Sequence, residues 1–472
     1  MPLQGTNLKV VAVPMLRGVA RVPGRRSLME GLLRRPAAAV VAGFAVAVVV
    51  GMVVLMLPVA TADGAAAGWV TALFTTVSAV CVTGLVVVDT PTYWSLFGEL
   101  AILAMIQIGG IGIMTLATLL GLLIARRVGL RLQLTAQAET KALGLGEVRQ
   151  VVVRILAISV IVELLTAVPL VLRFAVFYDQ PLGRALYLGL FHAVSAFNNA
   201  GFALFTDNLM SFATDPWICF PLGLATILGG IGFPVLFELG RHLRQRVVRW
   251  SLHLRVTVGT YAILFVVGVA AFLLGEWTNP GTLGPVDVGG KLVIGVFSGI
   301  QPRTAGFNSV DIAQLDPATL LITDVLMFIG GGSAGTAGGI KVTTFALLAF
   351  VMWAEVRGEP TVHVLGRRLP PAIQRQALTV ALAAVGLVMV STVTLLEISD
   401  VGLDAVLFET VSAFATVGLS TGITDDLPTA GQLLLAALMF LGRLGPITLA
   451  SALALREHER RYELPEERTI VG

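Results

Sequence analysis

The chain has 472 residues, of which 56% are hydrophobic and only 13% charged, with a formal net charge of +3 and a mean hydropathy of +0.88. A soluble globular chain is about 25% charged, so these figures exclude a soluble domain and indicate a polytopic membrane protein. Cys81 and Cys219 stand at apolar positions and read as packing residues, because neither a metal spacing nor a disulfide framework accompanies them. The five histidines are scattered and suggest no metal cluster.

A helix needs about 20 apolar residues to cross the hydrocarbon core. In chain order, such stretches lie at 37–58, 97–125, 151–172, 218–239, 256–274, 320–350, 378–396 and 432–455. Between the members of each successive pair sits a shorter apolar segment, at 69–82, 186–197, 292–300 and 406–415. Segments of that length suit re-entrant or buried helices rather than crossings. The N-terminus is not expected to be a cleaved signal, since basic residues run on to Arg35 and the apolar run after them is long enough to span.

Lys and Arg cluster at 17–35, at 126–131 with Lys141 and Arg149, and at 241–255, 357–375 and 456–468. The opposite connections carry Asp89, Asp207, Asp215, Glu276, Asp287, Asp311, Asp316, Asp400, Asp425 and Asp426. Basic loops stay in the cytoplasm, so each intervening unit must leave and return: helix out, short re-entrant helix, helix back. The expected fold is an all-α membrane protein with eight transmembrane helices. They form four pseudo-repeats of helix, pore helix, filter loop and helix around one central pore. The expected boundaries are a basic N-terminus at 1–36, unit one at 37–125, a linker at 126–149, unit two at 150–240, a linker at 241–255, unit three at 256–352, a linker at 353–376, unit four at 377–455 and a tail at 456–472. Both termini are expected in the cytoplasm of a multi-pass cell-membrane protein.

Internal repeats support four units. "FTTVSAVCVTGL" (74–85), "FHAVSAFNNAGF" (191–202) and "FETVSAFATVGL" (408–419) align without gaps, and "VFSGIQPRTAGF" (296–307) ends alike. The aligned glycines are Gly84, Gly201, Gly306 and Gly418. A single match would read as a glycine ending a helix; four matches in equivalent places argue for a shared task. A cation crossing lipid must replace its hydration shell, and rings of backbone carbonyls do that. Glycine opens dihedrals closed to other residues, and irregular backbone at membrane depth is tolerated where it lines a cavity. The absence of an aspartate or glutamate ring at these turns favours carbonyl coordination of a monovalent cation.

With "SAFNNAGF", "RTAGFNSVD", "GGSAGTAGGIK" and "FETVSAFATVGLSTGIT", the chain resembles the Trk/Ktr/HKT superfamily of potassium transporters over about residues 37–455, and within it the Ktr-type membrane subunits. Eight spans without an additional N-terminal helix pair point the same way. The resemblance implies a potassium filter of Val82, Thr83 and Gly84; Asn199, Ala200 and Gly201; Thr304, Ala305 and Gly306; and Thr416, Val417 and Gly418. Their carbonyls would bind the ion. Serine at the first glycine accompanies sodium preference in the HKT relatives, so Gly84 argues for potassium. One glycine per turn implies a short filter and looser selectivity than a dedicated potassium channel shows. The third unit departs from the pattern at Gln301 and Pro302, whose role stays open. The resemblance further implies a homodimer, and regulation by a separate cytosolic, nucleotide-binding, RCK-type ring of the KtrA kind. That ring could dock on the loops near Arg126–Arg149 and Arg241–Arg255 and on the charged tail. No cofactor is implied in this chain: potassium is cargo and sodium is a candidate activator. No nucleic-acid partner and no enzymatic activity are expected, for no nucleophile, metal or cofactor constellation appears.

The stretch 330–341 interrupts the sixth span. Gly330, Gly331, Gly332, Ser333, Gly335, Thr336, Gly338 and Gly339 precede Lys341, yet Ile340 and Val342 break the P-loop spelling G-x-x-x-x-G-K-[ST]. Uncharged glycine-rich backbone at mid-span must face a cavity, and the resemblance makes it a gate. The competing reading is a kink that only lets helices pack closely. Ser333 and Thr336 could satisfy freed backbone groups, and Lys341 faces either the inner cavity or the cytoplasmic interface. Arg443, a charge in the last span, matches a family arginine below the filter, where it would raise the barrier to a cation. The competing reading is a structural arginine on backbone carbonyls, and the two can both hold. Glu163 is expected to have an interhelical hydrogen-bond partner, and the glycines in "QIGGIGIM" and "ILGGIGFPV" to serve packing. A secondary transporter of another monovalent cation or small solute, working by alternating access, is the alternative function.

Overall fold

The structure is a computed structural model and describes residues 36–112, 115, 145–244 and 249–445. The expected N-terminal region before residue 36, most of the 126–149 linker, the ends of the second and last spans, and the 456–472 tail lie outside the described residues. The order of elements is α1 (Pro36–Leu55), α2 (Trp69–Cys81), α3 (Leu96–Gly112), α4 (Leu145–Val176), α5 (Leu182–Phe197), α6 (Pro216–Gly230), α7 (Phe233–Arg244), α8 (Leu252–Glu276), α9 (Val288–Ile300), α10 (Pro317–Phe328), α11 (Val342–Val356), a hairpin of β1 (His363–Val364) and β2 (Arg367–Arg368), α12 (Pro371–Ile398), α13 (Leu403–Ala415) and α14 (Thr429–Leu444). Among the described residues, Gln150–Val176, Leu252–Glu276 and Pro371–Ile398 are each long and apolar enough to cross a membrane.

Two expected spans are broken. The 320–350 stretch divides into α10 and α11 around the glycine-rich loop, as its composition required. The 218–239 stretch, read from hydropathy as one crossing, is instead α6 followed by a 102° bend into α7. Several acidic residues that marked the outer connections also act locally as helix caps. Asp215, Asp287 and Asp316 each accept the N–H of a residue two positions on, starting α6, α9 and α10. Asp215 additionally accepts from Arg173 Nε at 2.6 Å and from the Tyr178 hydroxyl at 3.0 Å, which ties the end of α4 to the start of α6.

Each short helix α2, α5, α9 and α13 packs on the long helix before it: α1, α4, α8 and α12. The later helices knit these pairs together. α6 lies on α5 and on α9, α10 on α13, and α14 on both α13 and α2, so the last unit closes on the first. Helix association in lipid depends on close packing of small residues rather than on expulsion of water. The backbone contacts follow that rule. A Cβ on Gly109 of α3 would fall on the Val80 carbonyl, one on Gly229 of α6 on the Phe197 carbonyl, and one on Gly442 of α14 on the Phe414 carbonyl. Each acceptor stands four residues before an aligned glycine of its repeat.

A methyl group at such a contact is an overpacking change, and those cost about 1–3 kcal/mol. Gly442→Ala should lower the melting midpoint of purified protein. Gly43→Ala, where a Cβ meets nothing within 4 Å, should not. Equal melting of the two variants would show that the helix does not sit against the Phe414 carbonyl.

Candidate functional site

The recurring glycine of the repeats belongs to one local structure that is built four times over. A short helix ends, a non-glycine residue takes a left-handed conformation, and a glycine two residues on again has positive φ. The pairs are Val82 (56°) and Gly84 (96°), Asn199 (60°) and Gly201 (69°), Thr304 (63°) and Gly306 (76°), and Thr416 (52°) and Gly418 (92°). In three turns the serine is the brace. The Ser78, Ser195 and Ser412 carbonyls accept from Thr83, Ala200 and Val417 N–H at 2.8, 2.8 and 2.9 Å. Ser78 Oγ and Ser412 Oγ accept from Gly84 and Gly418 N–H at 3.0 and 3.1 Å, while Ser195 Oγ donates to the Phe202 carbonyl at 2.8 Å. The third turn has no such serine, and the role left open for Gln301 is answered here. Its carbonyl accepts from Ala305 N–H at 3.0 Å and its side-chain Oε1 from Phe307 N–H at 3.1 Å.

The four turns meet at one place. A Cβ on Gly84 would fall on the Ala200 carbonyl, one on Gly201 would lie 2.7 Å from Gly306 Cα, one on Gly306 2.5 Å from the Val417 carbonyl oxygen, and one on Gly418 on the Thr83 carbonyl. The contacts run in chain order and return to the start. The same point on Gly306 lies 3.3 Å from the Thr83 oxygen, so the third turn also faces the first. Of the twelve residues expected at the filter, these contacts bring together eight: Thr83, Gly84, Ala200, Gly201, Ala305, Gly306, Val417 and Gly418.

The glycine-rich loop lies beside these turns. Residues 329 and 340 pair across its neck. Its freed backbone groups are taken up by the bend between α6 and α7: Gly332 N–H donates to the Gly230 carbonyl at 2.8 Å, Thr336 N–H to the Gly229 carbonyl at 3.1 Å, and Phe233 N–H to the Ala334 carbonyl at 3.3 Å. Ser333 and Thr336 do not satisfy backbone groups through their side chains, as the sequence suggested. Ser333 Oγ pairs with Thr343 Oγ1 at 3.0 Å, and Thr336 Oγ1 donates to Asn199 Oδ1 at 2.7 Å. Asn199 Nδ2 in turn donates to the Arg303 carbonyl at 3.3 Å. On the other side, a Cβ on Gly338 would lie 2.8 Å from the Ala415 carbonyl oxygen, at the end of α13.

Lys341 folds inward: its Nζ donates to the Ala337 carbonyl and, at 3.3 Å, to the Gly338 carbonyl. Arg443 is buried and donates to the Thr336 carbonyl of the loop and, at 3.3 Å, to the Gly109 carbonyl of α3. It thus clamps the loop between the first and fourth units. Glu163 has the interhelical partners expected of it: its Oε1 accepts from Gln107 Nε2 at 2.9 Å and from Asn198 Nδ2 at 3.4 Å.

Two features escaped the sequence reading although signals for them were present. The doublets Gly109-Gly110 and Gly229-Gly230 have counterparts in Gly330-Gly331 and Gly442-Arg443, each 24 to 28 residues beyond the aligned glycine. Arg443 therefore occupies the place that glycine holds in the other three units. The position after the repeating phenylalanine also varies with purpose. His192 Nε2 accepts from Leu204 N–H at 3.2 Å, and buried Glu409 accepts from Ser420 Oγ at 2.9 Å and from Thr424, anchoring the segments that leave the second and fourth turns.

An apolar helical bundle with four converging backbone turns and no side-chain carboxylate on them defines a membrane transport protein for cations. The chain belongs to the TrkH cation transport protein family, whose model matches residues 19–461. It is 38% identical to the Ktr system potassium uptake protein B of Bacillus subtilis, covering 91% of this chain and 95% of that one. It is 38% identical to the protein of the same description from Vibrio alginolyticus, over 97% and 99%. It is 33% identical to the potassium/sodium uptake protein NtpJ of Enterococcus hirae, over 93% and 97%. The fold matches the crystal structure of the potassium transporter TrkH from Vibrio parahaemolyticus with a TM-score of 0.69 at 18% identity, covering 92% of this chain and 86% of that one. The chain is a transport protein and not an enzyme.

The serine braces make a graded expectation. Ser412→Ala leaves the buried Gly418 N–H without an acceptor, which costs about 1–3 kcal/mol. Ser195→Ala leaves only a carbonyl under-satisfied, a milder loss. Melting midpoints should therefore fall further for Ser412→Ala than for Ser195→Ala; the reverse order would contradict the hydrogen-bond assignment.

Proposed function

We propose that this chain is the potassium-translocating, pore-forming subunit of a Ktr-type uptake system, conducting through a filter of four backbone turns. The observation that carries the reading is the convergence of Gly84, Gly201, Gly306 and Gly418, where a side chain on any one would strike a neighbouring backbone. Such a site presents carbonyl oxygen rather than carboxylate, which suits a weakly hydrated monovalent cation. The names of the relatives, potassium uptake proteins at 38% identity, point to potassium as the cargo. In this reading the chain makes eight crossings in four units, with the boundaries set out above and both termini in the cytoplasm. It works as a homodimer under a cytosolic RCK-type ring, with sodium as an activator and no cofactor of its own.

The loop 330–341 is the gate, and Arg443 is its latch. Its guanidinium holds the Thr336 carbonyl, and in this reading its positive charge lies under the filter. A hydrogen bond from a charged group contributes about 1.5–3 kcal/mol, enough to shift a closed-to-open equilibrium tenfold or more.

Expression in cells lacking potassium uptake should restore growth at low external potassium, and Gly84→Ser should weaken discrimination against sodium. Growth and rubidium flux that are indifferent to all four glycines would overturn the filter. Arg443→Gln, and deletion of residues 333–337, should each raise potassium flux in reconstituted vesicles at saturating potassium and lessen its dependence on the cytosolic partner, with the ion preference unchanged. A deletion that alters potassium-over-sodium preference while leaving flux as it was would make the loop part of the selectivity site.

A further inference from the structure

The connection between α11 and α12 is a built element rather than a slack linker. α11 ends in a reversal: Gly358 N–H donates to the Glu355 carbonyl at 3.0 Å and Glu359 N–H to the Ala354 carbonyl at 3.0 Å, with Gly358 at positive φ. The chain turns back and forms the hairpin of β1 and β2, with His363 opposite Arg368 and Val364 opposite Arg367. Val362, Val364 and Leu369 are buried in a small core of their own with Val256, Ala346 and Ala354 from α8 and α11. The hairpin is therefore fixed against the ends of two helices.

Its tip is the anomaly. A two-residue hairpin loop with both residues at positive φ favours Asn, Asp or Gly at the first place. Here that place is Leu365 at φ 48°, followed by Gly366 at 81°. Leu365 is 53% exposed. Leucine is unfavourable there twice over, by backbone conformation and by contact with water. Arg367 and Arg368 stand exposed beside it. Close by on α11, Val356 is 84% exposed and Trp353 58%, and the Arg357 guanidinium lies 4.7 Å from the Trp353 ring centre. Tryptophan with arginine at a helix end marks the membrane–water boundary. The linker 353–376 holds four arginines against two glutamates, Glu355 and Glu359.

We propose that this hairpin is a lipid-docking element: Leu365 enters the acyl boundary of the leaflet beside α11, while Arg367 and Arg368 bind the phosphates of anionic phospholipid headgroups. An apolar tip with flanking cations is the combination that binds an anionic interface, and the arginine fork matches phosphate oxygens. The apolar destination removes the hydration penalty that an aqueous Leu365 would carry, and the packing on α11 keeps the tip at the level of the Trp353 belt. The side of the membrane rests on the orientation proposed above; the lipid contact does not.

The test uses the full chain carrying Leu365→Cys, labelled with a polarity-sensitive fluorophore; Cys81 and Cys219 are buried, and unsubstituted protein gives the background. It is reconstituted in phosphatidylcholine vesicles with or without phosphatidylglycerol, some lipids brominated near the headgroup end of the chain. We expect blue-shifted emission and at least twofold stronger quenching when phosphatidylglycerol is present. Adding Arg367→Gln and Arg368→Gln should abolish that difference. Water-like emission without lipid quenching in both vesicles would overturn the proposal. So would an apolar shift that comes only when the cytosolic partner is added, which would make the tip a protein contact. Labelling by a membrane-impermeant reagent added from outside would sink the orientation instead, and the quenching result would still decide the lipid contact.

Discussion

Backbone against backbone, with no side chain between, is the constraint on which this structure depends. Gly84, Gly201, Gly306 and Gly418 let four turns approach a common axis. Three further glycines, Gly109, Gly229 and Gly442, bring helices onto the carbonyls that end α2, α5 and α13. The two sets are linked by position. Each second-set contact falls on a carbonyl four residues before a turn glycine, so the helix that supports a turn is held one helical turn behind it. An added methyl in either set would move a turn off the axis.

That same packing explains why the loop needs both of its interruptions. Broken helix at membrane depth leaves backbone donors and acceptors that lipid cannot satisfy. The loop between α10 and α11 and the bend between α6 and α7 are two such breaks, and they satisfy one another through Gly229, Gly230, Gly332, Phe233, Ala334 and Thr336. Gly232 has φ 100°, and a Cβ there would fall on the Ser333 carbonyl. One break alone would leave its polar groups unpaired; the pair makes a polar patch facing inward.

Much of this was legible in the sequence because each turn is spelled by local chemistry. The serine that braces a turn and the glycine that completes it recur six residues apart, and the loop betrays itself by glycine density. What stayed hidden is directional or compensatory. Hydropathy averages composition over a window, so 218–239 read as one straight span although Gly232 and Pro234 stand at its bend. The third turn lost its serine, and nothing local says that Gln301 supplies both a main-chain and a side-chain acceptor from one residue further along. Arg443 was visible as a charge in an apolar helix, yet its meaning came from aligning its place with three glycines.

The contact between the loop and the four turns is slight in kind. Thr336 Oγ1 reaches Asn199 Oδ1, and Asn199 Nδ2 reaches the Arg303 carbonyl, so a chain of two neutral hydrogen bonds joins the proposed gate to the second and third turns. Bonds of that type contribute about 0.5–1.5 kcal/mol each. If the loop withdraws, only the first is broken, and cavity water can take the place of the Thr336 hydroxyl. The bond to Arg303 and the serine and glutamine braces stay as they were, because none of them involves the loop. The turns are thus held from behind by their own helices, while the loop is held from below by Arg443 and the α6–α7 bend. The supports meet in α6, where Gly229 backs the second turn and accepts from Thr336 N–H, and in α14, where Gly442 backs the fourth turn beside Arg443. Yet no bond that holds the loop is one that braces a turn, so the loop can release its bonds while the turns keep theirs, as the proposed gate and filter require.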